Sequence, residues 1–535
     1  MMSLEESKQK TNKNREKRIQ QSFPVMSPAD KNEVIHRYHP DYKKEAYRPI
    51  RIGPNQGDPS VHELVDILEG ESPVPEEFNE LVPDHTTDVL IIGGGGAGAA
   101  AALTARANGA KVLLATKLRL GDANTVMAEG GMQVAVGSDD SPVRHYLDAM
   151  VGGHLKNNPV LLKTLVEEGP SATQWLLDLG VQFDREEGEG SLRLKGGGGT
   201  SKPRLLTCKD YTGLELMRVL KDCVINEDIQ VVEFSPAVEL LSGTDGRCTG
   251  ALLKNLDNNQ WIVVQAKTVI MATGGIGRLH IQGFPTSNHF GATADGLALT
   301  YRIGARLTLA DTFQYHPTGA IYPDQMAGTL VTEGIRSAGA QLLNVRGERF
   351  VNELETRDAV AACIIRECEE GRGVETPAGR KGVWLDMPLV DSINGKDTLE
   401  TRFPNMIKQF SKYAIDIRKE PVLIYPTLHY QNGGVQIDVN CHSGVQNLFV
   451  AGEASGGVHG RNRLMGNSLL DIIVYGRRAG KAAAEQAGQM KHGEMTLGHL
   501  KKFRETAKKA GIEAKVTSPK LFPDYVRRNK EKPSS

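Results

Sequence analysis

The stretch TDVLIIGGGGAGAAAALTARANGAKVLLATK, residues 87–117, decides the fold class of this chain. It begins as a short apolar strand, turns at a run of glycines, continues as an alanine-rich helix and ends in a second apolar strand. A strand, a helix and a strand within about 30 residues form a βαβ unit, which builds parallel sheets. We therefore expect an α/β fold.

The glycines of this stretch have the spacing of a dinucleotide-binding turn. Gly93, Gly95 and Gly98 read G-x-G-x-x-G and lie directly between the strand and the helix. In such a turn the first glycine allows the tight bend, the second lets the backbone approach a pyrophosphate, and the third lets helix pack on strand. The unpaired N–H groups at the helix start favour an anion. The alternative is a glycine-rich turn without a ligand.

The end of the second strand favours FAD over a nicotinamide nucleotide. A carboxylate at this point normally holds the ribose of NAD, but the chain has Thr116 and Lys117 there. A later apolar strand ends at Glu453, and Asp295 follows a Gly-rich strand end, so carboxylates reach the site from elsewhere. We therefore predict FAD as the cofactor.

Composition excludes several function classes. The 535 residues carry 64 Lys and Arg against 65 Asp and Glu, a net charge of −1, which argues against nucleic acid as a partner. The six cysteines form no C-x-x-C pair, so we expect no iron–sulfur cluster, haem or other metal site in the chain itself.

No apolar run is long enough for a membrane span, and the N-terminus lacks a secretion signal. We expect a cytoplasmic protein, or one held at the inner face of a membrane by partner subunits.

Changes in composition and hydrophobic pattern divide the chain into five segments. Residues 1–84 are a polar N-terminal extension, either a disordered tail or an arm that wraps a partner subunit. Residues 85–309 and 429–488 are the two parts of a Rossmann-like FAD-binding domain. They flank an inserted α+β capping domain at 310–428, and residues 489–535 form a short C-terminal helical tail.

An ordered series of motifs then resembles one family. After IIGGGGAG the chain reads NTVMAEGG (124–131), ATGGIG (272–277), ADG (294–296), QYHPTG (314–319), TEGIR (332–336), TRD (356–358), HYQNGG (429–434), AGE (451–453) and HGRNRLMGNSLL (459–470). Over about residues 86–486 it resembles the flavoprotein subunits of succinate dehydrogenase and fumarate reductase, with L-aspartate oxidase as close kin. The resemblance implies a capping domain that closes over the substrate.

The resemblance also implies the substrate site. Its matching positions are His316, Thr332, His429 and Arg463, which would bind a four-carbon dicarboxylate. The chemistry supports this set, because holding two carboxylates in a dry pocket needs several fixed donors, and Arg matches a carboxylate best. The alternative for the two histidines is an ordinary place in the core.

Arg357 matches the residue that exchanges a proton with the substrate. In the implied reaction a hydride passes from flavin N5 to one alkene carbon of fumarate, and a proton reaches the other through Arg357, with Glu333 and Arg336 as its relay. A guanidinium normally keeps its proton, but neighbouring Arg336, Arg463 and a protonated histidine would favour its release. The alternatives are an electrostatic clamp and an ion pair beside Asp358.

The implied FAD contacts come from four of the motifs. They are Asn124, Thr125, Gly130, Gly131, Asp295, Glu453, Ser468 and Leu469. Most quinone-linked members carry, in place of Asn124, a histidine that bonds covalently to the flavin. We therefore predict non-covalent FAD, a lower flavin potential and a preference for fumarate reduction.

Three functions remain open from the sequence. The first is the flavoprotein subunit of a fumarate reductase, which interconverts fumarate and succinate with a separate iron–sulfur partner. The second is an oxidase resembling L-aspartate oxidase, which Asn124 favours. The third is an FAD-bearing electron-transfer subunit without dicarboxylate turnover. The direction of flux, the electron partner and the oligomeric state also stay open.

Overall fold

The computed structural model describes residues 2–188 and 190–522. The α-helices are α1 (Leu4–Lys13), α2 (Arg15–Arg18), α3 (Pro28–Tyr38), α4 (His62–Leu68), α5 (Gly96–Ala107), α6 (Pro142–Gly152), α7 (Pro159–Asp178), α8 (Thr212–Asn226), α9 (Asp295–Arg302), α10 (Glu333–Ser337), α11 (Arg357–Glu369), α12 (Leu389–Asn394), α13 (Thr398–Arg402), α14 (Pro404–Ser411), α15 (Asn467–Ala487) and α16 (Gly498–Lys509). The strands are β1 (Tyr47–Pro49), β2 (Pro59–Val61), β3 (His85–Ile92), β4 (Val112–Ala115), β5 (Met132–Gln133), β6 (Leu194–Lys195), β7 (Leu205–Leu206), β8 (Gln230–Val232), β9 (Ala237–Ser242), β10 (Cys248–Lys254), β11 (Trp261–Met271), β12 (Leu307–Thr308), β13 (Phe313–Ala320), β14 (Gln341–Leu343), β15 (Val374–Glu375), β16 (Lys381–Asp386), β17 (Val422–Gln431), β18 (Gly434–Gln436), β19 (Leu448–Val450) and β20 (Ser455–Gly456).

A seven-stranded sheet forms the centre of the larger part of the molecule. Its order is β8-β4-β3-β11-β10-β9, and β19 pairs with the C-terminal end of β11. Strands β8, β4, β3, β11 and β19 run parallel, whereas β10 is antiparallel to β11 and to β9. The predicted βαβ unit is β3, α5 and β4. Strand β19 enters the sheet from a segment more than 170 residues after β11, which is how the two parts of the chain form one domain.

Small residues let two helices approach closely over this sheet. Helix α15 packs along α5, where a Cβ on Gly480 would lie 2.3 Å from the carbonyl oxygen of Ala101. The same holds for Gly476, whose added Cβ would lie 2.7 Å from the oxygen of Ala97. The alanine-rich sequence of α5 therefore serves helix packing as well as helix formation.

The capping part has a separate antiparallel sheet. Its order is β13-β17-β16-β14, with β15 paired to β16, and α11 packs on β13, β16 and β17. The chain leaves the larger part after β12 and returns at β18, and these two strands pair with each other. The insertion thus begins and ends at one place. Strand β17 spans residues 422–431, so the predicted boundary between residues 428 and 429 lies inside it.

The N-terminal extension, as far as the structure describes it, packs on the same chain. Ser7 Oγ donates to the carbonyl of Val345 at 2.8 Å and accepts from Trp384 Nε1 at 2.8 Å. Arg15 and Arg18 bind the buried carboxylate of Asp386. Helix α3 packs against α11. These segments cover the capping part, and a contact of residues 1–84 with a partner subunit stays a prediction.

Residues 47–72 and the C-terminal segment cover the larger part. Asn55 Nδ2 donates to the carbonyl of Leu307 at 2.9 Å, and Ser60 Oγ donates to that of Ala310 at 2.6 Å. Ser518 N donates to the carbonyl of Glu71 at 2.8 Å, so the two terminal segments also meet. Helix α16 lies in the predicted C-terminal tail, of which residues 523–535 lie outside the described residues. Within the described ranges no helix has the length and hydropathy needed to cross a bilayer.

The Asp386 ion pairs predict how firmly the N-terminal segment is held. The Asp386 side chain is fully buried and Arg18 nearly so, so Asp386→Ala should destabilise the protein by about 3–5 kcal/mol, since it leaves a buried cation unpaired. Urea unfolding measures the loss, and hydrogen exchange should rise over α1 and α2. The control is Glu400→Ala in the exposed pair with Arg418, which should change stability by about 0.5 kcal/mol or less. Equal losses in both variants would contradict this account of the segment.

Candidate active site

A cavity of about 910 Å³ lies at the carboxyl ends of the parallel strands. This edge of a parallel sheet is where such folds bind ligands. Eight of the predicted cofactor residues line it: Gly93, Gly95, Thr116, Lys117, Asn124, Thr125, Asp295 and Glu453. Another, Gly98, lies behind it, where an added Cβ would meet the oxygen of Gly93 at 1.9 Å.

The start of α5 fits a pyrophosphate. Gly95 is its N-cap residue and offers no side-chain cap, and its first turn carries no acidic residue. Among the backbone N–H groups of this first turn, only that of Gly96 has a side-chain acceptor within the described residues. The acceptor is Thr125 Oγ1, at 3.2 Å. Gly93 has φ +125°, a conformation that glycine alone adopts readily. The N–H groups and the positive helix end therefore face the cavity without a protein anion from the described chain to satisfy them.

Charged and amide groups surround the rest of this cavity. Lys117 Nζ lies 2.9 Å from Asp295 Oδ2 and also contacts the carbonyl of Lys520. Asn124 Nδ2 donates to Asn288 Oδ1 at 2.7 Å, and Asn124 Oδ1 accepts from the N–H of His289 at 2.6 Å. Position 124 is therefore held by fixed amide contacts.

The Glu453 carboxyl is unusual for an acid at neutral pH. Burial raises its pKa to about 7, although the N–H of Gln431 donates to Oε1 at 3.0 Å and Asn124 Nδ2 lies 3.3 Å from Oε2. Near pH 7 this side chain is therefore both a hydrogen-bond donor and an acceptor toward the cavity.

Four other predicted cofactor residues lie away from this cavity lining. Gly130 and Gly131 line a larger cavity of about 2050 Å³ between the two parts of the molecule. Ser468 Oγ lies 3.1 Å from Arg463 Nη1, and Leu469 is buried at the start of α15. The structure thus associates Ser468 with the cation cluster described next.

A buried cluster of cations surrounds one carboxylate in the capping part. Arg357 Nε donates to Glu333 Oε2 at 2.8 Å, and Arg336 Nη2 lies 3.2 Å from the same oxygen. The N–H of Gly198, from the larger part, donates to Glu333 Oε1 at 3.1 Å. Burial alone would raise the pKa of Glu333, but Arg357 and Arg336 outweigh it and lower the pKa below its usual value. Glu333 is therefore ionised.

Gln314 joins this cluster to Arg463, and the sequence prediction gave it no role. Gln314 Oε1 accepts from Arg357 Nη1 and from Arg463 Nη2, each at 2.9 Å. Its Nε2 donates to the carbonyl of Arg463 at 2.7 Å. Residues two apart on a strand share a face. The position of Gln314 two residues before His316 was therefore the signal in the sequence that its side chain lies near the same site.

Arg463 is buried, and no carboxylate of the described residues is hydrogen-bonded to it. Burial, and then the charge of Arg357, lower its pKa to about 10, so it stays protonated at neutral pH. Its guanidinium lies over the Tyr430 ring at 4.3 Å from the centroid. Its Nε has no hydrogen-bond partner among the described residues. Together Arg336, Arg357 and Arg463 carry three positive charges against one negative charge on Glu333, which leaves two uncompensated positive charges.

The two predicted histidines lie side by side. The rings of His316 and His429 are 5.1 Å apart between centroids. His429 lies in a β-bulge of strand β17. Gln314 pairs with Tyr430 and Tyr315 pairs with Leu428, which leaves His429 as the extra, unpaired residue. His316 Nδ1 accepts from the N–H of Thr318 at 3.2 Å, which leaves the hydrogen of the neutral ring on Nε2.

Both histidines are neutral, which corrects the expectation of a protonated histidine beside Arg357. Desolvation, and then the charge of Arg357, lower the pKa of His316 and of His429 well below the usual value. A cation beside two buried guanidinium groups would add like charge, so the ring stays uncharged. Thr332, the fourth predicted substrate residue, is the N-cap of α10 and lines the larger cavity.

No group of three potential metal ligands is close enough to hold an ion within residues 2–188 and 190–522. Most of the functional residues described above lie in the cavity at the carboxyl ends of the parallel strands and in the cation cluster.

Known proteins are similar to this chain over most of its length. A family model described as "FAD binding domain" matches residues 88–469. The chain belongs to this FAD-binding family. One polypeptide of a fumarate reductase (CoM/CoB) from Methanothermobacter marburgensis is 40% identical over 410 residues, 75% of this chain and 73% of that one. An L-aspartate oxidase from Streptomyces coelicolor is 35% identical over 418 residues, 75% of this chain and 70% of that protein.

A solved structure extends the comparison to the fold. A variant of the E. coli quinol fumarate reductase flavoprotein FrdA superposes with a TM-score of 0.72 at 29% identity, over 80% of this chain and 74% of that one. The predicted family, fold class and FAD cofactor are thereby confirmed. The chain is an FAD-dependent oxidoreductase of the fumarate reductase and succinate dehydrogenase type.

The raised pKa of Glu453 predicts a pH-dependent stability. Between about pH 4.5 and 7 the folded protein keeps a proton on Glu453 that the unfolded chain has released, so this group's contribution to stability falls as pH rises through that window. In flavin-free protein, Glu453→Gln should therefore gain about 3 kcal/mol of unfolding free energy relative to the parent between pH 4.5 and 8. Urea unfolding at several pH values measures it. The exposed Glu505→Gln is the control, and parallel pH curves for Glu453→Gln and the parent would rule out a buried, protonated carboxyl.

Proposed function

We propose that this chain interconverts fumarate and succinate, mainly in the direction of fumarate reduction. The observation that carries the proposal is the pair of uncompensated positive charges in the buried cluster of Arg336, Arg357, Arg463 and Glu333. A buried charge is costly unless it is paired. A C4 dicarboxylate carries two negative charges, so its binding would neutralise the cluster.

The donors fit two carboxylates held at fixed positions. Arg463 and Arg357 share Gln314 Oε1, so their guanidinium groups are oriented before substrate binds. His316 offers its Nε2 hydrogen, and Thr332 offers a hydroxyl at the start of α10. In the proposal Arg463, His316, His429 and Thr332 bind the substrate, and the fixed donors stabilise the charge that develops beside a carboxylate.

Arg357 is the proposed proton donor to the substrate carbon. Its Nε is hydrogen-bonded to Glu333, and Arg336 lies on the far side of Glu333 with Nη1 donating to the carbonyl of Glu353. A proton can thus be passed from Arg336 through Glu333 to Arg357. The resemblance to the family implies a glutamate two residues after TEGIR, where this chain has Ala338. Ser337 lines the larger cavity, so we propose that water supplies the outer end of the route.

FAD supplies the hydride chemistry when bound. The residues proposed to hold it are those of the 910 Å³ cavity: the start of α5 for the pyrophosphate, and Lys117, Asp295 and Glu453 for its polar groups. We propose that attachment is non-covalent, since Asn124 cannot form the bond of a histidine. A lower flavin potential would favour fumarate reduction over succinate oxidation.

An electron donor is needed, and we propose a separate iron–sulfur protein. The relative from Methanothermobacter is named as one subunit of its enzyme, which supports a second polypeptide as partner. The six cysteines are free, and the sequence encodes no cluster motif of its own. Placement in the cytoplasm, or at a membrane through partner subunits, stays a prediction.

The second candidate is an L-aspartate oxidase, supported by the 35% identity to a protein of that name and by Asn124. Its substrate adds an ammonium group, which three guanidinium groups would repel. The cation cluster therefore favours fumarate or succinate over aspartate.

Arg357→Gln tests the proposed activity. Removing the proton donor should lower fumarate-dependent oxidation of a reduced viologen by about 10²- to 10⁴-fold, measured on flavin-loaded protein. Arg366→Gln, on the same helix and partly exposed, should keep the parent rate. If Arg357→Gln keeps the parent rate, Arg357 is not the donor. If L-aspartate bleaches the flavin of the parent and fumarate does not oxidise the reduced viologen, the L-aspartate oxidase activity is supported instead.

Acid precipitation tests the attachment of FAD. Because Asn124 offers no nucleophile for a covalent link, acid should release all the yellow colour into the supernatant, and a denaturing gel should show no flavin fluorescence at the mass of the chain. A yellow pellet or a fluorescent band would contradict non-covalent binding.

A further inference from the structure

We infer that His154 and Asp358 form a latch between the larger part and the capping part, that the latch positions Arg357, and that it is strongest when His154 is protonated. The inference rests on the proposed function, because Arg357 is there the proton donor. It adds a positioning pair outside the cation cluster and a pH dependence of the closed arrangement.

The geometry of the pair connects the two parts. His154 lies in the turn after α6, with φ +59° and its N–H bonded to the carbonyl of Val151 at 3.1 Å. Its Nε2 lies 2.6 Å from Asp358 Oδ2. Helix α6 packs on α7 of the larger part, whereas α11, which begins at Arg357, packs on the capping sheet. One short hydrogen bond therefore ties the first turn of α11 to the other part.

The position of Asp358 makes this contact relevant to Arg357. Asp358 is the second residue of α11, and its Oδ1 accepts from the N–H of Ala359 at 2.9 Å, so its carboxylate lies at the positive end of the helix. Arg357 precedes it and points the other way, toward Glu333 and Gln314. A shift of the first turn of α11 would move Arg357 with respect to Arg463 and Gly198, which belong to the larger part.

The groups around the pair leave His154 as its titrating member. Arg461 and Lys31 also face it, and each has a carboxylate of its own: Asp311 at 3.0 Å from Arg461, and Glu355 at 2.5 Å from Lys31. His39 is buried behind Asp358, and burial lowers its pKa to about 4, so it is neutral. Burial raises the pKa of Asp41, on the same side, well above its usual value. The Asp358 carboxylate therefore depends on His154 for its counter-charge.

The direction of the pH effect follows from this pairing. The hydrogen bond to Asp358 raises the pKa of His154 above its usual value, against the opposing effect of burial, while His154 helps to lower the pKa of the buried Asp358. Below the pKa of His154 the pair is ionic. As pH rises through that pKa the cation is lost and the buried carboxylate keeps its charge, so the latch weakens on the alkaline side. The side chain of His154 is 29% exposed, so solvent protons reach it.

Two variants and two measurements test the latch. His154→Gln keeps an amide donor but removes the titration, and Asp358→Asn removes the carboxylate. In the flavin-loaded protein, His154→Gln should lower kcat for fumarate by about tenfold or more near neutral pH, leave flavin content unchanged, and remove the alkaline fall of the kcat profile that His154 causes. The exposed His62→Gln should match the parent.

The second measurement does not depend on turnover. The ring resonance of His154 in ¹³C-histidine-labelled protein, identified by its absence in His154→Gln, should titrate at a lower pH in Asp358→Asn than in the parent, because the hydrogen bond to Asp358 raises the pKa of His154. An unchanged titration overturns the latch whichever substrate the enzyme uses. A parent-like pH profile in His154→Gln overturns its role in positioning Arg357. Absence of fumarate turnover in the parent, together with the expected shift of the titration, would instead reject the proposed function and leave the pair as an ionic contact between the two parts.

Discussion

Glu333 is the carboxylate on which the arrangement of the capping part depends. It lies between Arg336 and Arg357, and its other oxygen binds the N–H of Gly198 from the larger part. Without it, two buried guanidinium groups would repel each other in a region of low dielectric. One carboxylate cannot balance Arg463 as well, so the site keeps an excess of positive charge. That excess fits a dianion better than a neutral or zwitterionic ligand.

The cation cluster lies where the two parts of the molecule meet. Arg357 and Glu333 come from the capping part, whereas Arg463 and Gly198 come from the larger part, beside the cavity that fits FAD. Gln314 joins Arg357 to Arg463 at the meeting of the two parts. The insertion begins and ends at the paired strands β12 and β18, so both of its ends join the larger part at one place. The segments of residues 2–72 contact both parts and so help to hold the two parts in a fixed relative position.

The neutral histidines follow from the same charge balance. A protonated ring beside Arg357 would increase the excess, and burial disfavours the ion further. In the proposed function, His316 is therefore a directed hydrogen-bond donor, and arginine supplies the charge that binds an anion. Outside this cluster, burial raises the pKa of Glu453 to about 7 beside the nucleotide cavity, and the hydrogen bond to Asp358 raises the pKa of His154 between the two parts.

The sequence by itself determined the βαβ unit, the glycine turn, the FAD preference and the residue types of the site, because strand and helix periods and glycine spacing act over short stretches of chain. It also indicated the insertion, since two buried strands flank a segment of different composition. Only the tertiary structure decided which polar residues meet. The bulge that presents His429, the bridge made by Gln314 between residues far apart in sequence, and the charge state of each histidine depend on packing and burial. These are set by the approach of distant segments, which local patterns do not encode.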